Sequence, residues 1–149
     1  MTQNKLDYDM GVTYDVWLIF KPGEGYWLNK FLKQGFGHVL MLSRDQYNWI
    51  YHDPHRLRMT YGIPPYQVTD DLPHLLVEEG FTVIKIRFFD RDTMRKIHHS
   101  WLHNCVAFIK YALGINVRCL TPYGLYKKLL GLNKRQKFVN GILTVEQIS

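Results

Sequence analysis

Residues 37–52 read GHVLMLSRDQYNWIYH, in which six mainly apolar residues, four polar ones and six more mainly apolar ones follow one another. Short apolar runs separated by turn residues are typical of two neighbouring β-strands. The stretch therefore predicts an antiparallel hairpin with its turn centred near Arg44 and Asp45. In such a hairpin His38 and His52 lie roughly opposite one another.

Strand signals lie mainly before helix signals along the chain. Residues 14–20 and 81–89 are rich in β-branched and aromatic side chains and predict two further strands. Residues 53–75 contain four of the six prolines and predict a long, mostly irregular segment. Strands followed by helices favour an α+β fold over an alternating α/β one.

The clearest helix signal begins at Cys105. Asn104 is a good N-cap, residues 105–113 carry apolar side chains at helical spacing, and Gly114 is a typical stop. The other predicted elements are a short helix over 27–33, a helix from Thr121-Pro122 to Gly131, and a tight hairpin over 138–143 around Asn140-Gly141.

The composition restricts the class of protein. A chain of 149 residues, 46% hydrophobic, is long and apolar enough for one domain spanning 1–149 and excludes a disordered chain. No apolar run approaches the roughly 20 residues that a membrane-spanning helix needs. The N-terminus lacks the apolar core of a secretory signal, so we expect a protein that is cytoplasmic as synthesised.

The net charge of +6 is unevenly distributed. Residues 1–84 carry seven basic and ten acidic groups, whereas residues 85–137 carry twelve basic and two acidic ones. No helix-turn-helix, zinc-finger or RNA-binding signature accompanies the basic runs, so we expect no sequence-specific nucleic-acid binding. The basic half also contains Cys105, where positive charge would help to ionise a thiol or attract an anionic substrate.

Cys105 is the candidate nucleophile. With Cys119 it makes only two cysteines, too few for a disulfide framework, so both are expected to be free thiols. At a helix start, backbone N–H groups and the helix dipole stabilise a thiolate. The alternative for Cys105 is an ordinary buried cysteine.

A negative oxygen formed during attack on a carbonyl needs hydrogen-bond donors. The N–H of Cys105 is one natural donor, and Trp17 or Tyr14 on the first strand would supply a second.

His38 is the candidate base for that thiol. It opens a strand directly after Gly35-Phe36-Gly37, whose small residues let another element approach closely. His52 on the partner strand would hold one ring nitrogen of His38, while the other ring nitrogen of His38 faces the thiol. The alternative for His52 is a strand-end residue that bonds to a loop carbonyl.

A zinc site is a competing interpretation of the histidines. His99 and His103 are four residues apart, a spacing that can hold zinc, with Cys119 or the pair His52 and His55 completing the set. Against it, the two cysteines are far apart, and an N-cap at residue 104 would leave His103 outside the helix. The preferred prediction therefore contains neither a metal nor a cofactor.

The chain resembles the permuted NlpC-type papain-like cysteine peptidases and amidases, a group that includes the lecithin:retinol acyltransferase relatives. The resemblance rests on residues 37–42, on His52 and on residues 104–110, in the order histidine, polar residue, cysteine. Through 104–129 the chain is also similar to small tailed-phage proteins of this type. The resemblance implies a permuted papain-like single domain, with an antiparallel sheet packed on the cysteine-bearing helix.

Roles for three residues follow from the resemblance. It implies that Cys105 is the nucleophile, His38 the base and His52 the orienting residue, with Asn48 and Asp53 as substitutes for His52. The reaction implied is cleavage of an amide bond in peptidoglycan peptide stems, by a virion-associated protein if the phage similarity holds. The alternative is a non-catalytic structural or binding component of a phage virion or tail, on the same fold.

Overall fold

The computed structural model describes residues 12–23, 30–55, 58–90, 104–115, 117–134 and 142–149, which form a six-stranded antiparallel sheet and three helices. The strands are β1 (Val12–Lys21), β2 (His38–Arg44), β3 (Trp49–Pro54), β4 (Met59–Gly62), β5 (Thr82–Asp90) and β6 (Ile142–Ile148), in the spatial order β4-β3-β2-β1-β5-β6. The helices are α1 (Leu72–Glu78), α2 (Cys105–Ala112) and α3 (Pro122–Lys134). The α+β class is therefore as predicted.

The two faces of the sheet carry separate apolar clusters. On one face, α2 and α3 cover β-strand side chains such as Leu18, Phe20 and Val39, which are fully buried. On the other face, Leu72 of α1 packs with a cluster that includes Trp49. Side chains alternate between the faces of a strand, so each central strand contributes to both clusters. The cysteine-bearing helix α2 thus lies directly against the sheet.

Several predicted elements are confirmed and others are corrected. The strands predicted over 14–20 and 81–89 are β1 and β5, which pair along nine residues in the middle of the sheet. The irregular segment predicted over 53–75 is wrong in part, because it contains β4 and the start of α1. The helix predicted to end at Gly131 continues to Lys134. Residues 27–29 and the dipeptide 140–141 lie outside the described residues.

The start of α1 lies within the proline-rich segment that the sequence predicts as irregular. Asp71 caps the helix by accepting a hydrogen bond from the His74 N–H at 3.4 Å, and Pro73 lies in the first turn. Proline is compatible with a first helical turn because its missing N–H would be unpaired there. Asp71 and Pro73 are therefore local signals for a helix inside a segment whose prolines predict an irregular chain.

Gly37 is the point at which β2 approaches the end of β1. Its N–H donates to the Lys21 carbonyl at 3.0 Å, and a Cβ at this position would lie 2.1 Å from the Gly23 nitrogen. The close approach predicted from the small residues before His38 is confirmed. Because backbone atoms occupy the space, a side chain here must displace the chain that positions His38.

We expect Gly37→Ala to lower the free energy of unfolding by about 1–3 kcal/mol, because overpacking displaces backbone. Urea unfolding measures it. Gly131→Ala is the matched control, since no heavy atom lies within 4 Å of a Cβ built there in α3. That change should leave stability equal or raise it by up to about 1 kcal/mol. Equal stability of Gly37→Ala and the parent would contradict the prediction.

Candidate active site

Cys105 is the first residue of α2, as the capping signals predicted. The Asn104 side-chain oxygen accepts a hydrogen bond from the Ala107 N–H at 2.7 Å, which satisfies one of the free donors of the first turn. At the other end, Gly114 has a φ of 63°, and the N–H of Ile115 donates to the Lys110 carbonyl at 2.9 Å. Both ends of the helix are therefore set by local sequence.

The sulfur of Cys105 lies against backbone N–H groups at the beginning of β2. The backbone N–H groups of Val39, Val106 and Cys105 itself lie close enough to the sulfur to act on the thiol, and each by itself lowers its pKa. The residue pairs between β2 and β3 end at Met41 and His52, two residues before β2 reaches back to Val39. The thiol therefore sits at the end of the sheet, at the residue that follows His38.

Burial raises the pKa of the Cys105 thiol above its ordinary value, in spite of these N–H groups. The negative charge of Asp53 raises it further. The sequence-based expectation of a thiolate stabilised by the helix start is thus corrected, because loss of solvent outweighs the N–H groups. Within the described residues, the side-chain charge acting on this thiol is a carboxylate rather than a lysine or arginine.

His38 forms a short hydrogen bond to Asp53. Its Nε2 lies 2.5 Å from the Asp53 Oδ1, and both side chains are mostly buried. The other carboxylate oxygen of Asp53 faces Lys21 Nζ at 3.7 Å and His55 Nε2 at 3.5 Å. Asp53 therefore holds one imidazole nitrogen of His38, which leaves Nδ1 as the remaining ring nitrogen for proton transfer.

The environment of Asp53 favours its ionised form. Burial by itself would raise the pKa of this carboxyl group. The hydrogen bond from His38, with the charges of His38, Lys21 and His55, outweighs burial and lowers the pKa of Asp53 below its ordinary value. The group that faces His38 is therefore a carboxylate at neutral pH.

His52 does not make the contact that the sequence predicted for it. Its Nε2 lies 3.3 Å from the Ser43 Oγ, and burial lowers its pKa. Directly across the hairpin it faces Met41. The orienting contact to His38 comes instead from Asp53, which the resemblance had offered only as a substitute.

The turn of the hairpin explains this difference. The Asp45 side chain accepts hydrogen bonds from the N–H groups of Tyr47 and Asn48 at 2.7 and 2.6 Å, so the turn extends to Asn48. β3 begins at Trp49 rather than at residue 47. The centre of the hairpin is therefore about two residues later than predicted. A shift in register changes which side chains face each other across the strands.

The oxyanion donors suggested on the first strand are not near the thiol. Trp17 is buried in the apolar cluster on the α1 face of the sheet, with its ring 5.0 Å from that of Trp49 in an edge-to-face contact. Tyr14 lies at the other end of β1 from Lys21, the residue that pairs with His38. The N–H of Cys105 stays the predicted donor.

The residues of the predicted zinc site are only partly described. His99 and His103 lie outside the described residues. Cys119 is a free, partly buried thiol whose pKa is raised by burial, with Lys110 and Lys128 opposing that effect. A different group does come together, because ligand atoms of His38, Asp53 and His55 all lie within 4.8 Å of one another.

His55, which the sequence offered only as a possible zinc ligand together with His52, lies beside His38. Its ring stacks on that of His38, with centroids 5.5 Å apart and planes inclined by 15°. The alternation of β3 was the available signal, because Asp53 and the residue two positions later lie on the same side of an extended chain. Using that signal required the correct hairpin register.

Comparison with known proteins identifies no relative: no family model, curated protein or solved structure matches the chain. Among the described helices, none has the length and apolar character needed to span a membrane.

Proposed function

We propose that this protein is a thiol hydrolase that cleaves an amide bond, with Cys105 as nucleophile, His38 as base and Asp53 as the residue that orients His38. The observation that carries the proposal is the short contact between His38 Nε2 and Asp53 Oδ1, at the residue before Val39, whose N–H acts on the pKa of the Cys105 thiol. A nucleophile, a base and a third group that orients the base form the arrangement used in covalent acyl transfer.

The proposed reaction has two stages. His38 Nδ1 accepts the thiol proton while Nε2–H donates to Asp53, and the sulfur forms a bond to the substrate carbonyl carbon. The C–N bond then breaks, and the leaving amine takes the proton from His38. Water, deprotonated by His38, attacks the thioester, releasing the acid and restoring the thiol. The N–H of Cys105 is the proposed donor to the transient oxyanion.

The raised pKa of Cys105 bears on the state of the thiol before reaction. A thiol that is neutral at rest must lose its proton as it attacks, so His38 has to accept it in the same step. This makes the reaction depend on the His38 tautomer more strongly than a preformed thiolate would. Asp53 supplies the tautomer that the step requires.

The substrate class rests on the resemblance to NlpC-type papain-like enzymes. We propose an amide of a peptidoglycan peptide stem as the substrate, and the phage similarity extends this proposal to a virion-associated enzyme with phage structural proteins as partners. The permuted papain-like order is part of the same proposal. Its support is the order of His38, Asp53 and Cys105 along the chain and the packing of α2 against the sheet.

A second candidate is a non-catalytic structural or binding component on the same fold. The observation that favours it is the burial of Cys105, which raises the pKa of the thiol. A thiol with no functioning base would be inert under these conditions. The two candidates therefore differ in the reactivity of one side chain.

Selective labelling tests the proposal. At neutral pH a thiol-directed acyl probe should modify Cys105 at least about tenfold faster than Cys119, because general-base assistance contributes about 10²–10⁴ in rate. Mass spectrometry of the two cysteine peptides measures both rates. Without a base the order should be reversed, because Cys105 is more deeply buried, whereas Lys110 and Lys128 oppose the effect of burial on the pKa of Cys119.

The control for labelling is His38→Ala. This variant should lower the labelling rate of Cys105 and leave that of Cys119 unchanged. The remaining labelling rate of Cys105 should keep rising with pH past neutrality, since the pKa of this thiol is raised. Slow labelling of Cys105, at a rate equal to or below that of Cys119 in the parent protein, would favour the non-catalytic candidate.

A further inference from the structure

His38, Asp53 and His55 form a group of metal-ligand type at the end of the sheet. Their ligand atoms lie within 4.8 Å of one another, from two imidazoles and one carboxylate. Two of the three side chains are mostly buried, whereas that of His55 is 40% exposed. The group is therefore held by the sheet on one side and open to solvent on the other.

The spacing of the ligand atoms suits a small tetrahedral ion. Zinc binds histidine nitrogens and carboxylate oxygens at about 2.0–2.2 Å, which places neighbouring ligand atoms about 3.3 Å apart. The separation of His55 Nε2 from Asp53 Oδ2 is 3.5 Å, close to that value. His38 Nε2 lies 2.5 Å from the other carboxylate oxygen, Oδ1, and a bound ion would take the place of the proton in that contact.

Charge at the site also permits an ion. Among the described lysines and arginines, Lys21 is the one that faces Asp53, with its Nζ 3.7 Å from Oδ2. The long Lys21 side chain can move its ammonium group into solvent when a cation arrives. Two histidines, one carboxylate and a water molecule in the open position make a complete zinc coordination shell.

We propose that His38, Asp53 and His55 bind one Zn²⁺ ion, and that the bound ion blocks the thiol chemistry of Cys105. The second part rests on the proposed function. A neutral imidazole that coordinates zinc through Nε2 carries its proton on Nδ1. Nδ1 is the atom that must accept the Cys105 proton, so His38 cannot act as base while zinc is bound. Removal of the ion restores the Nε2–H contact to Asp53.

Calorimetric titration of the full-length, metal-free protein with zinc chloride tests the site. We expect one equivalent of zinc to bind, and His55→Ala to weaken binding at least about tenfold, in line with the loss of one of three protein ligands. His74→Ala is the matched control, because His74 Nε2 and Asp71 Oδ2 form an exposed two-group pair at 3.9 Å. The zinc affinity of His74→Ala should equal that of the parent protein.

Three results would overturn the metal site: no binding, equal binding by the parent and His55→Ala, or binding that is lost in His99→Ala or His103→Ala instead. Circular dichroism of each variant confirms that folding is unchanged. His55 lies on the exposed side of the group, so its replacement is expected to be tolerated.

The effect on reactivity has its own measurement. One equivalent of zinc should slow the acyl labelling of Cys105 at least about tenfold in the parent and less than about twofold in His55→Ala. Equal slowing in both proteins would mean that zinc binds the thiol directly, which would overturn the blocking role. If metal-free Cys105 reacts no faster than Cys119, the proposed function fails, while the calorimetric result still decides the metal site.

Discussion

Replacing Cys105 with alanine is expected to abolish hydrolysis of every amide or thioester substrate that the parent protein cleaves. Removal of the nucleophile leaves no atom to form the acyl intermediate, and losses in kcat of about 10⁴-fold or more are expected for such a change. Release of the free acid from a peptidoglycan stem peptide or a model thioester, followed by mass spectrometry, measures the effect.

Cys119→Ala is the matched control for this prediction. It removes the other thiol, which lies just before α3 and carries no role in the proposed reaction. We expect its kcat to stay within about twofold of the parent, since surface and half-buried substitutions away from the site change little. Retention of full hydrolysis by Cys105→Ala would remove the proposed function altogether.

Replacing Asp53 with asparagine is expected to lower kcat by about 10²–10⁴-fold while leaving KM within a few-fold of the parent. The carboxylate fixes the His38 tautomer and stabilises the imidazolium that forms during attack, and a neutral amide does neither reliably. The measurement is the steady-state hydrolysis of the same model substrate. Asp53 acts through His38 and is thus a positioning residue.

His52→Gln tests whether Asp53, as in the structure, or His52, as predicted from the sequence, orients His38. His52 faces Ser43 and Met41, so its replacement should change kcat by less than about threefold. If His52 were the orienting residue, the two variants would exchange their effects. A large loss with His52→Gln and a small one with Asp53→Asn would therefore contradict the geometry described above.

A structural role for Asp53 would give a different pattern from a positioning role. If the carboxylate only stabilised the fold, Asp53→Asn would lower the midpoint of urea unfolding and reduce the amount of active protein, with kcat per folded molecule unchanged. A positioning role lowers kcat of a fully folded protein and slows Cys105 labelling in parallel. Measuring unfolding, kcat and labelling on one preparation distinguishes the two.

Elements defined by nearby residues could be predicted from the sequence. The start of α2 follows from Asn104, whose side chain bonds the N–H three residues later, and its end follows from Gly114. The middle strands β1 and β5 follow from their β-branched and aromatic content. Each of these signals acts within a few residues, so no knowledge of the rest of the chain is needed.

Elements that depend on competing local signals were predicted less well. The helix α1 begins in a proline-rich segment, where its Asp71 cap and first-turn proline are compatible with both a helix and a loop. Packing of Leu72 and its neighbours against the second apolar cluster favours the helix. That packing involves residues distant in the sequence, so it cannot be predicted from neighbouring residues alone.

Local sequence is enough to predict that Cys105 begins a helix and that His38 begins a strand directly after Gly37. Which side chain holds His38 depends on the tertiary structure, because the observed hairpin register places Met41, not His38, opposite His52. The same register brings His55 to the site and turns His52 away from it. The burial that raises the pKa of Cys105 likewise comes from the packing of α2 on the sheet, which no local pattern encodes.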